Sequence, residues 1–326
     1  MSLSQSIKGR VMLASLSLSV WTGRRFDDRA TGEVEANHHA KDIGRFNKRL
    51  LPKQAKSYDN VNAKARKARD IFERYTLAYD QMGVQLLSVD LYSELSQRMR
   101  QCGDDFSIAT SEFYLDYPDL REAARAELNG LYREDDYPSL EHLKTKFGFR
   151  TSYLPFPDAE QFDVILPAAE LAEVKAATVF AVDNAIKAAN SDLMQRLFDS
   201  VTRLSSRLNA KAAGGRFHES AVRDLQNLLE LAPKMNVSGD QKIATAIASA
   251  QAAFGRLTVE EVKASPTACL HHATQATDIA LEISKSCGFD IEPMTRGDLV
   301  RAEGDTNGFS SAWGGLDQFD LLSALV

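Results

Sequence analysis

The chain has 326 residues, 44% of them hydrophobic, enough apolar material for one elongated helical domain or two compact ones, which excludes disorder of the whole chain. No window approaches the roughly 20 apolar residues of a membrane span, and the three cysteines, Cys102, Cys269 and Cys287, lie far apart in sequence; a soluble, cytoplasmic protein is expected. The net charge of −6 hides an asymmetry: residues 1–100 carry 18 Lys and Arg against 11 Asp and Glu, while the rest carries 21 against 34.

Taken in chain order, the first signal is the alternation Ser15, Leu16, Ser17, Leu18, Ser19, Val20, Trp21, which is the period of a half-buried strand, with a turn at Gly23. Trp21 beside Arg24 and Arg25 has two readings: a corner that stacks a ring and holds a phosphate, or a plug of the helix–sheet junction with both arginines solvated. A basic segment follows from Lys41 to Arg74 and includes Arg45, Lys48, Arg49, Lys53, Lys64 and Lys67. Eleven acids between Asp104 and Glu141 face only Arg121, Arg125 and Arg133. The basic segment therefore either binds nucleic acid or another anion, or pairs with this acidic segment within the fold or between subunits. The nucleic-acid-binding candidates are Arg24, Arg25, Arg45, Lys48, Arg49, Lys53, Lys64 and Lys67.

Ile71, Tyr75, Ala78 and Met82 mark a helix that ends near Gly83. Leu91, Leu95, Met99, Cys102, Phe106, Ala109 and Phe113 then recur at steps of three and four, which keeps one apolar seam on one side of a long helix. Pro118 and Pro138 punctuate the acidic region, and Ser139 is placed to cap a short helix through Lys146. Between Phe147 and Leu166 the residues Phe149, Tyr153, Phe156, Phe162 and Val164 favour strand. From Pro167 to Ala213 runs a helix of about 65–70 Å at about 1.5 Å per residue, with the seam Leu193, Leu197, Val201, Leu204 and Leu208. Gly214-Gly215 ends it, and Phe217, Val222, Leu225, Leu229 and Ala232 carry a helix back. Further helix starts are expected at Ser238 with Gln241, at Thr258 with Glu261, and at Ser265-Pro266.

The fold class is therefore mainly α: an elongated antiparallel helical bundle or coiled coil with a small two- or three-stranded β element. Three regions are expected: 1–166, helical with the β element and basic segment; 167–292, helical hairpin and bundle; and 293–326, a flexible tail. The tail ends in an apolar peptide whose Trp313, Leu316, Phe319, Leu321 and Leu322 are candidates for docking on a partner. Phosphate-loop, dinucleotide and His-Glu-x-x-His motifs do not occur in the sequence, and the pairs His38-His39 and His271-His272 do not converge on a metal. No catalytic residue, metal, cofactor, small-molecule substrate or membrane association is expected.

Several strings occur together and in order: Trp21-Thr22-Gly23-Arg24-Arg25, Tyr153-Leu154-Pro155-Phe156-Pro157 to Phe162, and Arg216-Phe217-His218-Glu219-Ser220 leading to Pro233-Lys234-Met235-Asn236. They resemble a phage and mobile-element family of unknown function whose members tend to be encoded beside a MoxR/CobS-like AAA+ ATPase and a von Willebrand A-type protein. The resemblance implies a bacterial host cell and an accessory part in an ATPase-driven system. It carries over no catalytic residue. The function expected is a non-enzymatic helical adaptor or assembly subunit whose partner is an AAA+ ATPase or a second copy of itself. The alternative is a DNA- or RNA-binding protein using segment 41–74.

Overall fold

A computed structural model describes residues 7, 9–42, 44–79, 83–158 and 167–287. The fold is mainly α with a small antiparallel β part. In order, the elements are β1 (Val11–Ser19), β2 (Arg24–Phe26), α1 (Asp28–His38), β3 (Asn47–Arg49), α2 (Lys56–Tyr75), β4 (Leu77–Ala78), β5 (Val84–Ser88), α3 (Val89–Leu128), α4 (Leu140–Lys144), β6 (Gly148–Pro155), α5 (Ala168–Ala212), α6 (Ser220–Met235), α7 (Gln241–Phe254), α8 (Val259–Ala264) and α9 (Pro266–Cys287). Single turns of 3₁₀ helix occupy Asn129–Leu131 and Glu134–Asp136. No helix among the described residues is long and apolar enough to cross a membrane.

The described residues up to Arg196, together with Asn227–Ile247, form one compact unit; Leu197–Gln226 and those from Ala248 onward form a second. The packing does not divide at residue 166. Arg196 explains part of this: its guanidinium is held by Asp192 and donates to the Glu73 carbonyl at 2.7 Å, while Asp192 accepts from the Ala78 amide at 2.9 Å. The first part of α5 is thereby tied to the end of α2.

In the N-terminal unit a four-stranded antiparallel sheet has the order β4-β5-β1-β6, and β2 and β3 form a separate two-stranded ribbon. The strands outnumber the two or three expected, for a local reason. Thr76 is extended and buried, and its hydroxyl lies 2.7 Å from the Phe72 carbonyl and 2.5 Å from Gln85 Oε1. That side chain ends α2 at Tyr75 and leads the chain into β4, so the stripe read through Ala78 is not helical; Met82 lies outside the described residues. Strand β1 also starts and ends earlier than its serine alternation implies. It pairs from Val11 with Ser88 to Ser19 with Gly148, and Trp21 stands beyond its end.

Helices α2 and α3 pack along each other, and the core between them holds Val61, Ala65, Phe106, Ala109, Phe113 and Tyr117. The whole Leu91 to Phe113 seam is buried, Cys102 included. Gly103 allows α3 its approach to β6, since a Cβ there would lie 3.3 Å from the Phe149 ring. Pro118 does not interrupt α3, contrary to its reading as punctuation. Burial of Phe113, Tyr117 and Ala124 on either side outweighs the one amide hydrogen bond that a helical proline forfeits.

Helix α5 spans 45 residues within one residue of the expected bounds, and Leu193, Leu197, Val201, Leu204 and Leu208 are fully buried. Ser139, Thr258 and Ser265 cap their helices as the spacing implies, Thr258 reciprocally with Glu261. The cap of α7 is instead Asp240, whose carboxylate accepts from the amides of Lys242 and Ile243. Ser238 is engaged with Asn190 and Asn236. In the second unit Ser205 bonds the Ala273 carbonyl and the Thr277 hydroxyl.

Because Leu197 and Leu204 are fully buried, Leu197→Asp and Leu204→Asp are each expected to cost about 3 kcal/mol or more, the cost of burying an unpaired carboxylate. A thermal melt followed by circular dichroism reads the effect. Unchanged midpoints would remove the seam from the core.

Candidate functional site

The β2–β3 ribbon is short, and a buried ion network holds it. In its register Arg24 lies opposite Arg49, Arg25 opposite Lys48, and Phe26 opposite Asn47. Side chains alternate across a ribbon, so Arg25 and Lys48 share one face, and Arg24, Arg49, Phe26 and Asn47 share the other. On the first face Lys48 turns into the protein, while Arg25 stays exposed. Lys48 Nζ donates at 2.7 Å to Asp27 Oδ2 and at 2.7 Å to the Leu131 carbonyl, and it forms an ion pair with Asp136 Oδ2 at 2.7 Å. The Lys48 and Asp27 side chains are each only 2% exposed.

Asp27 joins three structures at one residue. Its backbone amide donates to the Phe46 carbonyl, its Oδ1 accepts from the Ala30 amide as the cap of α1, and its Oδ2 takes Lys48. The hydrogen bond from Lys48 and then the Ala30 amide hold this carboxyl below the usual aspartate range. Burial alone would pull the Lys48 ammonium down, but hydrogen bonds to Asp136 and Asp27 more than offset that and hold it above the ordinary lysine value. Asp136 reaches the network from the 3₁₀ turn at Glu134–Asp136 and also lies 3.7 Å from Arg25 Nε. The neighbouring Glu134 binds Arg121, Arg125 and the Tyr132 hydroxyl, which fixes that turn.

Beside the ribbon opens a cleft of about 480 Å³. The segment after β1 contributes Trp21, Thr22, Arg24 and Arg25 to its lining, and the segment around α4 contributes Asp135, Asp136, His142 and Lys146. Trp21 also packs edge-on against Tyr58 and Tyr117 and at 6.4 Å from Phe113, so it anchors the junction while lining the cleft. Gly23, at a φ of +62°, makes the turn that carries the chain from Trp21 into the ribbon, and its carbonyl accepts from the Leu50 amide.

The residues of the basic segment fall into separate environments. Lys48 is buried and cannot meet a phosphate, which corrects its place among the nucleic-acid candidates. Lys64 and Lys67 both reach Asp105, at 3.4 and 3.7 Å, and the Lys53 amide donates to Glu127; these are contacts between the basic and acidic segments. Arg24, Arg25 and Arg49 are exposed on the ribbon, with Arg45 placed over the Phe26 ring at 5.7 Å. Asp27 and Asp136, which organise the corner, were not singled out from sequence as its partners. The string Asp27-Asp28-Arg29-Ala30, an acid at the cap position of a helix, is the signal that could have found the first. Trp313, Leu316, Phe319, Leu321 and Leu322 lie outside the described residues. Among the described residues no group of three or more His, Cys, Asp or Glu is placed to hold a metal ion.

No family model, curated protein or solved structure matches the chain.

Lys48→Met is expected to destabilise by about 3–5 kcal/mol near neutral pH, because it leaves Asp27 and Asp136 buried without their cation. The pH dependence has a definite sign. The parent's Asp27 has a lowered folded pKa, so its contribution is present above the ordinary aspartate value and is lost as pH falls through the lowered one. In Lys48→Met the desolvated Asp27 carboxyl is raised instead, so acidification relieves the variant. Urea unfolding at pH 7 and pH 4 should show the gap between the two proteins narrowing; a constant gap would mean that the network contributes nothing through its charges.

Proposed function

We propose that the chain is a non-enzymatic adaptor or assembly subunit, and that its recognition surface is the exposed face of the β2–β3 ribbon. The observation that carries this reading is the buried Asp27–Lys48–Asp136 network, which holds fixed a ribbon whose other face presents Arg24, Arg49 and Phe26 to solvent. Such preorganisation lowers the entropy cost of binding. The two long apolar seams are buried within the chain, so they serve as scaffold and contact with a partner falls to the ribbon. The family resemblance makes an AAA+ ATPase of a phage or mobile-element system, in the cytoplasm of a bacterial host, the protein partner to test; an acidic surface is the chemistry that would meet the ribbon.

Affinity capture from host cells, with and without nuclease, tests this reading. The ATPase is expected in both samples with the parent chain and should be lost with Arg24→Glu/Arg49→Glu, a variant that leaves the buried network intact. Recovery of no ATPase by the parent would overturn the choice of partner.

A second reading, nucleic-acid binding, is favoured by one feature. Arg24 and Arg49 face each other directly, an arrangement that like charges disfavour and that an anion between them would relieve, and Arg45 and the half-exposed Phe26 lie alongside. If the ribbon contacts phosphates, replacing Arg24, Arg45 and Arg49 with Gln should weaken binding to a mixed-sequence oligonucleotide and reduce the salt slope by about 2–3. Lys64→Gln/Lys67→Gln should leave both unchanged. Fluorescence anisotropy at two salt concentrations measures this, and absence of binding by the parent at low salt would remove the reading.

A further inference from the structure

The cleft carries an inference that is independent of the adaptor reading: we propose that it is a binding site for a phosphate monoester attached to an aromatic ring system, as in a 5′-nucleotide. A bound ligand of this kind is not a substrate, and no reaction is implied.

The charge balance of the lining comes first. Asp136 is already engaged by Lys48 at 2.7 Å and approached by Arg25 at 3.7 Å, so its negative charge is compensated from within the protein. Of the other groups lining the cleft, Arg24 and Lys146 are cationic and Asp135 anionic, and His142 adds a ring nitrogen donor. The balance favours an anion. Arg24 and Lys146 come from separate segments, the ribbon and the end of the α4 turn, and both are exposed, so they can close on one anionic group without losing a buried partner. Arg24 also has the like-charged Arg49 directly across the ribbon, and an anion bound at Arg24 offsets that repulsion.

The second half of the ligand follows from size and apolar lining. The volume of about 480 Å³ falls within the roughly 300–1,000 Å³ typical of small-ligand sites and exceeds what a bare phosphate ion would occupy. Trp21 and Pro138 supply apolar surface to the cleft, and Trp21 is fixed by its packing on Tyr58 and Tyr117, so it presents a rigid partner for a planar ring. Asp135 provides an acceptor for exocyclic amino groups, which a purely cationic pocket would lack. One ligand chemistry satisfies all of these groups, whether it arrives as a free nucleotide or as the 5′-phosphorylated end of a strand.

Isothermal titration calorimetry at low salt, with adenosine 5′-monophosphate as probe and adenosine as control, tests the site on the full chain. The monophosphate should bind, and adenosine should bind at least about tenfold more weakly, the loss expected for charge-assisted hydrogen bonds to the phosphate. Arg24→Ala and Lys146→Ala, both at exposed positions, should each weaken the monophosphate about tenfold. Lys144→Ala, which removes a cation on the same short helix that sits over Tyr114 and does not line the cleft, should leave it unchanged. Competition by a 5′-phosphorylated oligonucleotide but not its 5′-hydroxyl counterpart would assign the site to strand ends, and competition by neither would assign it to free nucleotides; both outcomes support the site. No binding of the monophosphate up to about 1 mM, equal binding of adenosine, or monophosphate binding untouched by both Arg24→Ala and Lys146→Ala would each overturn it. The adaptor reading fails separately: Lys146→Ala should still capture the ATPase.

Discussion

One ammonium group organises the N-terminal corner. Lys48 is withdrawn from water at a cost that only close partners can offset, and it finds three at 2.7 Å: the Asp27 carboxylate and the Leu131 carbonyl as acceptors and the Asp136 carboxylate as an ion pair. Those partners belong to parts of the chain with little else in common. Asp27 ends the ribbon and begins α1, while Leu131 and Asp136 lie in the two 3₁₀ turns beyond α3. Remove the charge and the ribbon keeps only the anchorage of its flanks at Trp21 and Leu50, and its own three residue pairs are too few to be independently stable. The exposed arginines and the lining of the cleft hold their positions through this group.

The network also accounts for the charge asymmetry of the sequence. A basic first hundred residues and an acidic stretch from Asp104 to Glu141 leave open whether they seek each other or an outside partner. In the fold they meet at several points: Lys48 with Asp136, Arg25 with Asp136, Lys64 and Lys67 with Asp105. The exposed pairs contribute little to stability individually. What they do is take Lys48, Lys64 and Lys67 out of the free cations, while Arg24, Arg45 and Arg49 stay together at the ribbon.

Much of the helical part was legible because its signals are local and repeated. The Leu91 and Leu193 seams, the Gly214-Gly215 stop and the Thr258–Glu261 cap each depend on residues within a few positions of one another, and helix geometry converts such spacing directly into a face or an end. The β part was less legible for the converse reason. Whether Ala78 continues α2 depends on Thr76 finding Gln85, and whether Lys48 is a surface cation or a buried one depends on Asp136, 88 positions later. Spacing rules contain no term for such partners. Trp21 shows both aspects: its place at a junction was among the readings of the sequence, but its simultaneous exposure to a cleft requires Lys146 and His142 to come up beside it.

The order of strands in the sheet has a consequence for synthesis. Strand β1 is interior, paired on one side with β5 and on the other, over its greater length, with β6. A nascent chain that has emerged only as far as α3 can form the β5 side but still shows an open edge along Met12 to Ser19, where Leu13, Ala14, Leu16 and Leu18 are apolar. Closing that edge waits for residues 148–155, after the whole of α3 has been made. During that interval β1 is a template to which another strand can add, the usual hazard of slow, long-range pairing. The alternate serines at 15, 17 and 19 make the waiting strand more soluble than an unbroken apolar run would be.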